Sequence, residues 1–140
     1  MEQSIDIVTR AEQVIKNLKE RNLLMTTSQI RKFLTSVNTL NNKIQVFEMR
    51  EKVKQMPKVS DIMLSDDLAM QIKYLKIIIA YQSGRIRKKN KENEVYQFVM
   101  KAKLNEAIDE IGNDIKKYKD FAKYIEALVA YHKFYGGKDE

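Results

Sequence analysis

The stretch TTSQIRKFLTSVNTLNNKI (26–44) places Ile30, Phe33, Leu34, Val37, Leu40 and Ile44 at helical spacing. Apolar residues three and four apart line one face of a helix, and that face must be buried against other elements. Thr26 and Gln29 stand at the spacing of a capping box, in which each side chain satisfies an orphan backbone N–H of the other. The helix therefore starts after Thr26. It extends to about residue 54 and stops before Pro57, which cannot continue a helix. Between the apolar residues lie hydroxyls, amides and bases, with no carboxylate.

The same period recurs on both sides. Ile7, Ala11, Val14, Ile15 and Leu18 predict a helix over about 3–20. Ser65-Asp66-Asp67, an N-cap followed by acids that suit the helix dipole, opens a third helix that carries Leu68, Ile72, Leu75 and Ile79 and ends near Gly84. A fourth, over about 91–111, carries Val95, Phe98, Val99, Ala102, Ile108 and Ile111, with Gly112 as its left-handed C-cap. A fifth, over about 114–135, carries Ile115, Tyr118, Phe121, Tyr124, Ile125, Leu128 and Val129, and Gly136-Gly137 ends it. No alternating strand pattern bounded by turn residues appears. The expectation is an all-α fold, a compact bundle of about five helices, in a single domain over 1–140. Residues 55–64 and 85–91 are its expected mobile loops.

The chain has no cysteine, which excludes disulfides, zinc–thiolate sites and a thiol nucleophile. The start, MEQSIDIVTR, carries acids early and lacks an apolar core of the kind a signal peptide needs. The densest apolar patch, Leu75 to Tyr81, contains Lys76 and is too short to span a bilayer. A cytoplasmic protein without membrane attachment is expected. Catalysis has little to stand on. His132 is the sole histidine, and neither a Glu-x-x-His pair nor a Gly-rich phosphate loop occurs. Glu106, Asp109, Glu110 and Asp114 cluster at helical spacing, as acids on a solvated face do. No enzyme activity, metal or cofactor is expected.

Net charge is +7, from 26 bases and 19 acids. Residues 1–56 hold 10 bases and 6 acids, residues 57–90 hold 7 and 3, and residues 91–140 hold 9 and 10. The excess therefore lies in the first 90 residues. It is concentrated in two windows without Asp or Glu, Arg21 to Phe47 and Leu68 to Lys91. Within the first, Arg31, Thr35, Asn38 and Asn42 form one stripe opposite the apolar face, and Lys32, Ser36, Thr39 and Lys43 form the next. Within the second, Tyr74, Ile78, Tyr81 and Arg85 align, with Lys73 and Lys76 beside them. Bases neutralise phosphates and release counterions, while hydroxyls and amides hydrogen-bond phosphate and ribose oxygens. A carboxylate on such a face would repel the strand. A solvated polar face with a chance charge bias also accounts for these residues. Tyr74, Tyr81, Tyr131 and Tyr135 serve either as core or as stacking platforms for bases. The run RIRKKNK (85–91) reads either as a nucleic-acid patch or as a basic loop favoured by the preceding helix dipole.

Three islands, TTSQIRKFL (26–34), YLKIIIAYQSGR (74–85) and YIEALVAYHKFYGGKD (124–139), together resemble the small helical subunit of the type III-A CRISPR effector, the Csm complex. The resemblance covers most of residues 26–139 and implies a helical bundle without nuclease activity of its own. It implies several copies stacked head to tail as an inner filament, beside backbone subunits that hold the guide RNA, along the channel where guide and target RNA pair. In that family the backbone subunits cut the target, and the large subunit handles DNA cleavage and cyclic oligoadenylate synthesis. Arg31 and Arg85 are the matching basic positions, and Lys76 and Lys123 fall where the family tends to keep a base. His132 and RIRKKNK are left without family support. The residues that would steady the target strand are Arg31, Lys32, Lys43, Lys73, Lys76, Arg85 and Lys123. Specificity would come from guide–target pairing. Copies would join through heterologous interfaces, and Tyr131, Phe134 and Tyr135 could dock a neighbour.

Two other readings stay open. One is a structural adaptor that binds other helices and never touches RNA. The other is a helix-turn-helix DNA regulator, since TSQIR can open a recognition helix, although the helix that follows is much longer than such helices are.

Overall fold

Every helix expected from apolar spacing forms, and one of them forms in two pieces. The computed structural model describes residues 6–55, 62–85 and 94–136. Among these lie α1 (Ile7–Glu20), α2 (Thr27–Gln55), α3 (Asp66–Arg85), α4 (Glu94–Ala102), α5 (Leu104–Ile111) and α6 (Ile115–Phe134). The stretches 56–61 and 86–93 lie outside the described residues, and with them most of the two expected loops and of RIRKKNK. The tail of the first loop is held: Ile62 and Leu64 are buried, and the Leu64 N–H donates to Asn113 O at 2.9 Å.

Local chemistry sets the helix ends. Asp6 caps α1, its carboxylate accepting from the Thr9 N–H at 2.7 Å, and these bonds hold its pKa below the usual carboxylate value. Asn22, at φ 59°, ends α1 with bonds from its N–H to Lys19 O and from the Leu23 N–H to Leu18 O, a Schellman motif. The capping box before α2 closes in both directions, Gln29 Oε1 receiving the Thr26 N–H at 2.8 Å and Thr26 Oγ1 the Gln29 N–H at 3.1 Å. Ser65 caps α3, and Asp114 caps α6.

The expected fourth helix breaks at Lys103, which adopts a left-handed conformation (φ 57°, ψ 46°) and separates α4 from α5. For a residue with a Cβ this costs about 1–2 kcal/mol. Burial on both sides offsets it, since Ala102 and Leu104 are both fully enclosed. The Ala102 carbonyl receives the Tyr124 hydroxyl at 3.0 Å and the Arg10 guanidinium at 3.4 Å, with the guanidinium lying 4.8 Å from the Tyr124 ring centroid. Burial pushes the Tyr124 hydroxyl pKa up, with Arg10 pulling against it. Gly112 also departs from expectation: at φ 53° and ψ −125° it is not a left-handed cap. With the Asp114 N–H bonded to Ile111 O at 2.9 Å, it takes the first central position of a type II′ turn, which requires glycine.

α6 runs through the middle. It lies alongside α1, through Arg10 on Tyr124 and Lys19 Nζ on Tyr135 O, and alongside α2 in the opposite direction. There Tyr118 donates to Val37 O and Asn41, and His132 Nε2 meets Met25 O at 2.6 Å. Phe33 of α2 and Phe98 of α4 pack with centroids 5.6 Å apart. The apolar residues expected inside are inside, apart from Ile7, Leu34 and Val129, which are half-buried at the edge of the core.

Lys103→Gly should relieve the left-handed strain and raise the chemical-denaturation stability by about 1 kcal/mol. His132→Leu should instead lower it by about 1–3 kcal/mol, because the buried Met25 carbonyl loses its donor. Urea titrations of the two variants check both signs.

Candidate nucleic-acid interface

The outer face of α2 follows directly from its inner one. Ile30, Phe33, Val37, Leu40 and Ile44 are buried, so Arg31, Thr35, Asn38 and Asn42 point away from the core and are exposed. Lys32, Thr39 and Lys43 are exposed beside them, with Ser36 half-buried. Among the described residues no ion pair engages Arg31 or Lys32. The hydroxyls behave differently from the donors that the sequence suggests. Ser36 Oγ donates to Lys32 O and Thr39 Oγ1 to Thr35 O, each at 3.1 Å, so these protons serve the helix itself. Outward donors are the Arg31 and Lys32 cations and the side-chain amides of Asn38 and Asn42.

Two neighbours flank this face. On one side Lys43 Nζ reaches Gln71 Oε1 of α3 at 2.9 Å. On the other, exposed Lys123 of α6 shares the walls of a cleft of about 340 Å³ with Asn41 and Gln45 of α2. Glu126 lines that cleft too, as does Glu48, which is buried and paired with Lys119 at 2.8 Å. The α6 side is thus not acid-free.

The α3 candidates divide. Lys76 forms an ion pair with Asp109 of α5 at 2.7 Å, on the flank of α3 turned from α2. Lys73, one turn earlier, is exposed on that same far side. Arg85 is the last residue of α3, and its side chain lies outside the described residues. The structure therefore groups Arg31, Lys32, Lys43 and Lys123 around one face and sets Lys73 and Lys76 apart from it.

The tyrosines divide as well. Tyr74 and Tyr81 are exposed, not core. Tyr131 and Tyr135 are half-buried and pack on each other at 6.3 Å, while Phe134 stands 75% exposed at the end of α6. The Tyr135 hydroxyl donates to Glu12, and that carboxylate pushes its pKa up to about 12.

Among the described residues no catalytic constellation gathers. His132 is 1% exposed, and its Nε2 must donate, because a carbonyl oxygen only accepts. Asp114 caps a helix, Asp109 pairs with Lys76, and Glu106 and Glu110 line a separate cleft against α1. Among the described residues no cluster of His, Cys, Asp and Glu could hold a metal, and no helix is long and apolar enough to cross a membrane.

One feature escaped the sequence reading. Met70, Tyr74, Ile77 and Tyr81 form an exposed apolar stripe on α3, opposite buried Leu68, Ile72, Leu75 and Ile79. Sequence spacing aligned Tyr74 and Tyr81 with Ile78, but Ile78 is half-buried against the core and Met70 and Ile77 take the exposed places. Val46, Met49 and Val53 likewise continue the outer face of α2 as exposed apolar residues.

The family model described as Csm2 Type III-A matches residues 2–138. The CRISPR system Cms protein Csm2 of Streptococcus thermophilus is 36% identical over 138 residues, covering 99% of this chain and 95% of the relative. The protein of the same name from Mycobacterium tuberculosis is 33% identical over 137 residues, covering 96% and 95%. That of Enterococcus italicus is 34% identical over 113 residues, covering 79% and 68%.

Proposed function

Because the chain belongs to the Csm2 family of type III-A CRISPR systems, we propose that it acts as a non-catalytic RNA-binding small subunit of an RNA-guided interference complex. In this reading several copies stack head to tail as an inner filament and touch the target RNA backbone along the guide–target duplex. The observation that carries it is the outer face of α2: Arg31, Lys32, Asn38 and Asn42 turned to solvent, and no carboxylate from residue 21 to residue 47. Cations there would neutralise phosphates and the amides would hydrogen-bond phosphate or ribose oxygens, which reads backbone shape and no sequence. Lys43 and Lys123 would extend contact to either side. Lys76 is already engaged with Asp109 and would contribute less. Partners are the target and guide RNA, the backbone and large subunits, and further copies of the chain; the compartment is the cytoplasm.

The exposed apolar stripe of α3 favours a second reading, a structural adaptor within the same assembly that makes protein contacts only. A helix-turn-helix regulator fits poorly, since α2 is 29 residues long and its outer half carries no short recognition segment.

In the reconstituted complex, Arg31→Glu combined with Lys32→Glu should weaken target-RNA retention by about tenfold or more, with a smaller dependence on salt. Lys76→Ala should change retention less than about twofold. The single chain should bind single-stranded RNA weakly, with a log–log salt slope of about −0.7 per phosphate neutralised. Unchanged retention in the doubly substituted complex would assign the chain to the adaptor reading.

A further inference from the structure

The cleft between α2 and α6 divides its polar residues into two sets. The inner set is already engaged: Asn41 Oδ1 receives the Tyr118 hydroxyl, and Glu48 pairs with Lys119 at 2.8 Å. The outer set is free. Gln45 of α2 and Lys123 and Glu126 of α6 line the same cleft, and among the described residues no hydrogen bond or ion pair engages their side chains. Ile44, Tyr118 and Ala122 close the floor with carbon. A cleft of about 340 Å³ with a carbon floor and a few free polar groups at its rim suits one flat heterocycle.

Position ties this cleft to the cationic face of α2. Asn38, Asn42 and Gln45 follow one another at i, i+4 and i+7, so a row of exposed amides leads from that face to the cleft. Arg31 and Gln45 lie fourteen residues apart, about 21 Å along the helix, within reach of one short strand. Glu126 is the anomaly: an exposed carboxylate beside a face without acids. It repels a phosphate and accepts only, so whatever meets it must be a donor. Among the bases, guanine offers two donors side by side, N1–H and N2–H, which occupy both carboxylate oxygens at once. Cytosine and adenine offer only their amino group. Uracil offers only N3–H, set between two carbonyls that a carboxylate repels. Lys123, one turn before Glu126 on the same face, supplies a donor for guanine O6.

We propose that the cleft between α2 and α6 takes one unpaired guanine of a bound RNA strand, held on its Watson–Crick edge by Glu126 with Lys123 at O6. This rests on the RNA-binding reading of α2 and extends it: the helix face reads the backbone alone, and the cleft beside it reads a base. Splayed bases read on their Watson–Crick edges are the means by which single-stranded RNA is discriminated. The cleft is open to solvent, so the preference over uracil is modest, about fivefold, at the low end for a bidentate pair.

Fluorescence anisotropy of the full chain with RNA decamers at low salt tests the site. A uridine decamer carrying one central guanosine should bind about fivefold more tightly than the all-uridine strand. Inosine in place of that guanosine lacks the N2 amino group and should lose most of the advantage. Glu126→Gln, at an exposed and unpartnered position, should bring the three decamers to one affinity without weakening the all-uridine strand. Arg31→Glu combined with Lys32→Glu should lower all three by the same factor. Equal binding of the guanosine and uridine decamers by the native chain, or a guanosine preference that survives Glu126→Gln, would overturn the guanine site and leave the RNA face standing. Undiminished all-uridine binding after the Arg31 and Lys32 substitutions, with the preference intact, would overturn the face and leave the site. RNA binding absent from both the chain and the reconstituted complex would overturn both.

Discussion

Three donors buried on one helix hold this bundle in register. Tyr118, Tyr124 and His132 of α6 donate to the carbonyls of Val37, Ala102 and Met25, which belong to three different segments. A polar group enclosed without a partner costs about 1–3 kcal/mol, so each bond constrains where its segment sits. Sliding α6 by one residue would break all three at once. Apolar contact alone is forgiving about position, whereas these bonds are not. They select one arrangement among the several in which the same apolar faces could close.

The Ala102 contact shows how such a bond supports a costly local structure. A left-handed lysine ends α4 and releases the last carbonyls of that helix. The Tyr124 hydroxyl and the Arg10 guanidinium collect one of them, and the ring and guanidinium stack on each other. Helices α1 and α6 thereby meet at the break, and α5 can turn to receive Lys76 on Asp109.

With α6 taking the inner contacts, α2 has α6 on one flank and α3 on the other, and its outer face stays open. The two exposed faces that result are chemically unlike. That of α2 presents cations and amides suited to a polyanion, while the hydroxyl protons of Ser36 and Thr39 turn back to the helix. That of α3 presents an apolar stripe suited to another helix. A small subunit that meets both RNA and protein would need both kinds of surface, and a bundle of short-connected helices supplies them on neighbouring elements.

Periodicity, with capping residues at Thr26 and Ser65, determined the helices and nearly every buried apolar residue, because burial on a helix follows a 3.6-residue repeat that needs no knowledge of neighbours. The acid-free face of α2 was legible for the same reason: once the inner stripe is known, the outer one is its complement. Tertiary structure alone decided the rest. Nothing local marks Lys103 as a helix break, since its strain is offset by Arg10 and Tyr124, far away in the chain. Nothing local sends Lys76 to Asp109 and away from α2, or buries His132 against Met25. Spacing placed Leu68, Ile72, Leu75 and Ile79 on the inner face of α3, but it did not show that Met70 and Ile77 stand exposed with Tyr74 and Tyr81. Those outcomes depend on which helices pack together, and that is settled by contacts between residues distant in sequence.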